Sequence, residues 1–348
     1  MFKRLAAAVF AAPLIFTVLS VTPAHADPLL TISEITLSKA LVTVSGLATE
    51  QVAVTVKGGY NSDDPADAKT TLHVFLNSQD GGMVDFMVST ELKRTAGTVK
   101  DGTWTGPLNV TSSQNSTYKA VAVAIGGYGR PFTGTPPEST QFDGPTLKVI
   151  GTHAPKLTAL QVPKVVAVGK PYVIKWTVTD ADTGKFYETQ IRALTGIGKA
   201  CSDGSAPFQP GLTSPTGTIA RAYQAADAKL PHCFLLPNDP YDRAFLGYQV
   251  QRLGGVGAVP AKTSAKVGTN VPVTGSVGGP PGRCRIDLQR LYGATAWRSV
   301  NTARVRDSGR FTLTATPASQ GKIPYRVLMP ACNNFVASSS KPFTITGV

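Results

Sequence analysis

The sequence predicts an all-β chain built of consecutive two-layer sandwiches, and three observations carry that reading. Segments rich in Val, Ile and Thr alternate apolar and polar residues with a period of two, the pattern of half-buried strands. Gly, Asn, Asp and Pro punctuate these segments at short intervals, which suits sandwiches or barrels rather than βαβ units. Charged residues are 16% of the 348, against a usual ~25%, leaving little for long solvated helices or coiled coils.

The first 26 residues read as an address. Lys3 and Arg4 precede an apolar stretch from Leu5 to Val21, and Ala24-His25-Ala26 puts small residues where a signal peptidase cuts. The stretch falls short of the ~18 apolar residues of a membrane helix, and Pro13 interrupts it. Cleavage between Ala26 and Asp27, and secretion of residues 27–348 without a membrane anchor, are the expectations.

Strand patterns then follow in order at 31–37, 41–44, 52–56, 71–76, 83–89, 102–110 and 118–125. Two glycine- and proline-rich clusters, Gly151-Thr152-His153-Ala154-Pro155 and 254–260, mark boundaries. They divide the mature chain into 27–150, 151–259 and 260–348, each near the ~100 residues of an immunoglobulin-like sandwich. The fold class is therefore three tandem immunoglobulin-like β-sandwich domains after an N-terminal signal peptide. Each piece has one tryptophan (Trp104, Trp176, Trp297) and one late-strand tyrosine (Tyr118, Tyr248, Tyr325) placed to tie its hydroxyl to backbone at a sandwich corner. Helical spacing occurs once, over 219–229, where Ile219, Ala222, Tyr223 and Ala226 would share a face.

In the last domain strands are expected near 264–267, 271–277, 283–291, 297–306, 309–316, 323–330 and 341–347, with Asp307-Ser308-Gly309 as a tight turn. Running A to G, the third and sixth strands are antiparallel neighbours, which sets Cys284 beside Cys332. Export exposes all four cysteines to an oxidising exterior. Of three connectivities, Cys201–Cys233 and Cys284–Cys332 keep each bridge inside one domain. No C-x-x-C occurs and His73, His153 and His232 are scattered, which argues against zinc; no cofactor is expected.

The run Arg285-Ile286-Asp287-Leu288-Gln289-Arg290-Leu291, then Ala296-Trp297-Arg298-Ser299-Val300, Asp307-Ser308-Gly309-Arg310-Phe311-Thr312-Leu313 and Tyr325-Arg326-Val327, resembles the Ig-like modules of secreted proteins from high-GC Gram-positive bacteria. The likeness covers the last quarter of the chain. It implies an exported sandwich used as spacer, adhesive unit or enzyme appendage, and assigns no activity.

Positive charge is concentrated in 260–348, where twelve Lys and Arg face two Asp and Glu. Arginine outnumbers lysine there eight to four, and arginine suits bidentate contact with phosphate, sulfate or carboxylate. Strand alternation sends Arg283, Arg285, Arg304 and Arg306 outward, and Arg298 and Arg326 join them unless a bulge intervenes. The expected partner is an anionic cell-wall or extracellular polymer; with no recognition helix or stacking motif, sequence-specific nucleic-acid reading is not expected. The oligomeric state is not legible.

Two other classes compete with a binding protein. One is a bare spacer. The other is a hydrolase using an irregular, disulfide-stapled insertion at 195–243, which collects Tyr223, His232, Asp239, Tyr241, Asp242 and Arg243 and offers Ser202 or Ser205 as nucleophile. No G-x-S-x-G accompanies them, and the β pattern is not an α/β hydrolase framework, so no catalytic residue is expected. Asp180-Ala181-Asp182-Thr183-Gly184 resembles half a calcium loop, yet Gly184 and Ile191 stand where further oxygen ligands are needed. A hairpin turn between strands ending at Thr179 and starting near Phe186 is expected there instead. The acidic cluster of Asp63, Asp64 and Asp67 reads as a solvated loop, and Gly126-Gly127-Tyr128-Gly129-Arg130 lacks the following helix of a phosphate loop.

Overall fold

A computed structural model describes residues 29–61, 70–81, 84–126, 139–204, 206–279 and 282–348. The signal segment, the Asp63–Asp67 cluster, Ser205 and most of the 126–130 glycine run lie outside the described residues. Among the described residues no helix is long and apolar enough to cross a membrane.

Among the described residues the first domain has ten strands: β1 (Leu30–Leu37), β2 (Leu41–Ser45), β3 (Thr49–Tyr60), β4 (Leu72–Ser78), β5 (Phe86–Val88), β6 (Lys93–Gly97), β7 (Gly102–Thr111), β8 (Ser116–Ile125), β9 (Thr140–Gln141) and β10 (Thr146–Thr152). One sheet runs β1-β3-β7-β6 and the other β2-β10-β8-β4-β5, with β2 and β10 parallel. In immunoglobulin lettering these are A-B-E-D against A′-G-F-C-C′. Val52, Val54 and Val56, at alternate positions of β3, are fully buried between the sheets with Trp104 and Leu108 of β7.

The second domain repeats that order with β11 (Pro155–Val162), β12 (Tyr172–Asp180), β13 (Arg192–Ile197), the one-turn helix α1 (Lys199–Ser202), β14 (Gln209–Leu212), β15 (Thr218–Tyr223), β16 (His232–Leu236) and β17 (Ala244–Tyr248). Its sheets are β11-β12-β15 and β14-β13-β16-β17, the A-B-E and C′-C-F-G pattern. Trp176 of β12 stacks across the sandwich on Phe234 of β16. The short β18 (Arg252–Leu253) leads into the third domain: β19 (Val256–Pro260), β20 (Ser264–Ala265), β21 (Val271–Val277), β22 (Arg285–Tyr292), β23 (Ala296–Arg304), β24 (Arg310–Ala315), β25 (Gly321–Met329), β26 (Phe335–Val336), β27 (Ser338–Ser339) and β28 (Phe343–Gly347). Sheets β19-β21-β24 and β20-β28-β25-β22-β23 again give A-B-E and A′-G-F-C-C′. Three immunoglobulin-like sandwiches in tandem are thus present, each with its own core.

Several local expectations change. Residues 218–223 form an edge strand paired to β12, because Ile219 on the inner face is buried beside Trp176 while Ala220 and Ala222 face out; only 225–229 coil, as a 3-10 turn. The stretch 195–243 is not an insertion outside the sandwich: it supplies the end of β13 and the regular strands β14, β15 and β16, with α1, the 3-10 turn and loops between them, and Gly and Pro in β14 hide its strand pattern. After Asp180 the chain turns as expected, but no strand starts near Phe186; β13 begins at Arg192, in the opposite sheet. Val256–Pro260, a boundary by its glycine and proline content, instead pairs with β21, and Pro260 is tolerated there because β19 is an edge strand. The tryptophans occupy unlike places: Trp104 and Trp176 are buried, while Trp297 sits half-exposed on the edge strand β23. Tyr118 and Tyr325, both on sixth strands, donate to backbone carbonyls of Val84 and Thr316, whereas Tyr248 lies on the seventh strand and reaches the Gln161 side chain.

Both disulfides form as paired, Cys201–Cys233 tying α1 to β16 and Cys284–Cys332 joining the start of β22 to the segment after β25. The second follows from the β22–β25 register, where Asp287 opposes Leu328.

Candidate functional site

The arginines of the last domain do not form one field. β22 and β23 are paired so that Arg285 lies directly opposite Arg304, on the outer face of the larger sheet. Inner positions Ile286 and Leu288 are fully buried, which fixes the outward direction of their neighbours. Arg283, at a left-handed φ of 58°, adjoins this pair, and its carbonyl accepts a hydrogen bond from Arg304 Nη1 (3.2 Å). Arg326 of β25 shares the face, donating to Gln289 Oε1 (2.8 Å) and lying over the Trp297 ring (4.5 Å). Arg283, Arg285 and Arg304 are exposed, and one buried carboxylate, Asp287, accepts from Arg285 Nε at 2.7 Å.

A bulge decides the rest. The register slips between Leu288 and Gln289, so that Val300 is the extra residue of β23 and Ser299 rather than Val300 opposes Gln289. Every side chain of β23 before the bulge therefore changes face. Trp297 joins Arg326 on the outer side, and Arg298 is carried to the other side, opposite Arg290 and over the Tyr292 ring (5.2 Å). Arg306 also leaves the group, lining with Arg310 a shallow groove of ≈ 560 Å³ over the smaller sheet. The patch thus keeps Arg283, Arg285, Arg304 and Arg326 together and separates Arg298 and Arg306 from them. Arg290, which the sequence reading passed over, sits with Arg298 and the Tyr292 ring on that other side, not in the patch.

The polar residues of 195–243 scatter into two places. His232 is fully buried in the second domain; its Nε2 lies 2.7 Å from the Tyr172 hydroxyl and its Nδ1 has no hydrogen-bond partner. Burial lowers its pKa to about 4, only partly offset by the Leu230 backbone and the Asp227 charge. The Tyr223 ring meets His232 edge-on. Asp239, Tyr241 and Arg243 instead reach the first domain: Tyr241 packs edge-on against Phe86, Asn109 donates to the Asp239 carbonyl (2.5 Å), and Arg243 Nη2 donates to Thr49 Oγ1 (2.8 Å). His232 and Asp239 do not meet, and Ser202 makes no hydrogen bond to His232 among the described residues. Among the described residues of this stretch no nucleophile–base–orienter relay is assembled; Ser205 lies outside them.

Sequence reasoning also missed a clasp between the first two domains. His153, in the connection after β10, donates through Nδ1 to Asp180 Oδ2 (2.8 Å) and through its backbone N–H to Asp182 Oδ2 (2.6 Å). Tyr187 donates to the His153 carbonyl. These three ligand-type side chains lie within 4.8 Å of one another, but the carboxylates are already held by protein donors. Burial would raise the Asp180 pKa, yet hydrogen bonds from Asp182, Thr183 and His153 bring it down to about 2.

No family model matches the chain, and no curated protein matches it. Among solved structures, the Escherichia coli adhesin FdeC is similar at 13% identity and TM-score 0.30, covering 91% of this chain and 98% of that one. Dpr2 Ig1-Ig2 in complex with DIP-Theta Ig1-Ig3 is similar at 10% identity and TM-score 0.26, covering 90% and 99%. The trypsin-activated alpha-2-macroglobulin of Escherichia coli is similar at 10% identity and TM-score 0.23; this chain spans 23% of its length. Likeness this distant adds nothing to the fold, which rests on the strand pairings themselves.

Proposed function

We propose that this chain is an exported, non-catalytic immunoglobulin-like protein that holds anionic envelope or extracellular polymers through its third domain. Two disulfides, a signal-like leader and strand motifs like those of secreted Gram-positive modules support export. The observation that carries the binding role is the pairing of Arg285 with Arg304 directly across β22 and β23. Like charges in that relation destabilise a sheet, and the one carboxylate beside them, Asp287, offsets only the Arg285 charge, so the exposed pair supports binding of an anion.

The test uses the full mature chain on immobilised heparin as a polyanion. Binding at low salt and release as salt rises are expected, because polyanion contacts displace condensed counterions. The triple variant Arg283→Glu, Arg285→Glu, Arg304→Glu should flow through, while Lys262→Glu, Lys266→Glu, Lys322→Glu, with the same change in net charge, should be retained. Equal loss in both variants, or no retention of the wild-type chain, refutes the reading.

A further inference from the structure

A second cationic feature lies at the junction of the first and second domains, away from the basic sheet. Leu47 of the first domain and Gln190, Ile191, Arg192, Asn238, Asp239 and Arg243 of the second help to line a cleft of ≈ 490 Å³. That is within the ~300–1,000 Å³ of small-molecule sites, which favour domain interfaces.

Arg243 is the unusual member. Its Nη2 donates to Thr49 Oγ1, but its Nε is buried without a hydrogen-bond partner. Among the described residues no carboxylate forms an ion pair with it. Burial lowers its pKa, and the only opposing influence is the Tyr187 phenol. A guanidinium partly withdrawn from water without a counter-charge is costly, and its buried, unsatisfied Nε–H adds to that cost. The other junction handles the same problem differently. Arg252 has a buried Nε without a partner too, but its Nη2 donates to Asn334 Oδ1 (2.8 Å) and its guanidinium lies 4.1 Å from the Phe335 ring centroid, so its charge has an amide and an aromatic face. Arg243 has neither. Arg192 adds a second guanidinium to the cleft and Asp239 a single exposed carboxylate, leaving an excess of positive charge.

We propose that this interdomain cleft binds a small carboxylate-bearing ligand, of the size of a hexuronic acid or an acylated amino acid, with Arg243 as the anchor and Arg192 as the second contact. A carboxylate matches the planar fork of a guanidinium in a way that a neutral sugar does not. Because Arg243 also braces the contact with Thr49, occupancy would stiffen the junction between the two domains.

The test follows the Arg243 Nε–H signal by NMR in the isotope-labelled mature chain during titration with glucuronate, N-acetylglycine and methyl glucoside. Saturable shifts with either carboxylate and none with the neutral glucoside are expected, and the tighter of the two acids identifies the ligand source. Arg243→Lys should weaken binding at least tenfold and Arg243→Gln should abolish it. Arg192→Gln, which leaves the Thr49 contact in place, should weaken it severalfold at unchanged melting temperature. The Arg283→Glu, Arg285→Glu, Arg304→Glu chain should bind the acids as the wild type does. No saturable shift at millimolar acid, an equal response to methyl glucoside, or loss of binding in that triple variant overturns the proposal.

Discussion

His232 gives the sharpest stability prediction, because its environment sets both the sign and the size of a pH effect. The ring is fully buried, one nitrogen has no partner, and the pKa falls from its ordinary 6.5 to about 4. A histidine depressed in this way binds fewer protons folded than unfolded. Its contribution is therefore complete above the unfolded value and is lost as pH falls through the window from 6.5 toward about 4. At about pH 5 the linkage relation gives a loss of about 2 kcal/mol from this residue alone. His232→Gln keeps a neutral donor near Tyr172 and removes the titration. Urea unfolding with fluorotryptophan incorporated, followed by fluorine NMR, separates Trp176 of this domain from Trp104 and Trp297. The wild-type second domain should lose about 2 kcal/mol more than His232→Gln between about pH 7.5 and about pH 5. Parallel losses in the two chains would show that the buried imidazole is not what titrates.

Three further outcomes follow from single contacts. Cys284→Ser with Cys332→Ser opens a loop spanning 48 residues and should cost the third domain about 4 kcal/mol in the chain-entropy picture, read as a lower urea midpoint without change in the other domains. Gly275→Ala places a Cβ against the Gly257 carbonyl and the Phe311 ring, so the third domain should lose about 1–3 kcal/mol or more by the same measurement. Tyr325→Phe removes only the hydroxyl that donates to the Thr316 carbonyl, and a loss of about 1 kcal/mol is expected; no change would mean that the corner bond is already exchanged with water.

The fold was legible where alternation runs unbroken. Val52, Val54 and Val56 announce their face, and so do Val271 and Val273 or Tyr325 and Val327, because a period of two has one physical meaning in a half-buried strand. Alternation failed where small residues carry it. In β19 glycine and proline stand among the few apolar positions, and in β15 alanines satisfy helical and strand spacing alike; pairing with β21 and β12 resolves both. The arginine face was half legible. Arg283 and Arg285 followed from the inward Ile286 and Leu288, and Arg304 from the inward Ala303 and Val305, but a one-residue bulge reversed Arg298, and composition carries no mark of such a bulge.

Local pattern alone determined the β class, the tandem-sandwich architecture, the cysteine pairing and the cationic character of the last domain, since each depends on neighbours near in sequence or on simple containment. The tertiary structure decided which charges share a face and which polar groups are left alone. Arg243 meets Thr49 across 194 positions, and Asn109 meets Asp239 across 130. Whether a guanidinium finds a carboxylate, a hydroxyl or nothing is set by how separate domains dock, and the residues flanking it in the chain hold no record of that.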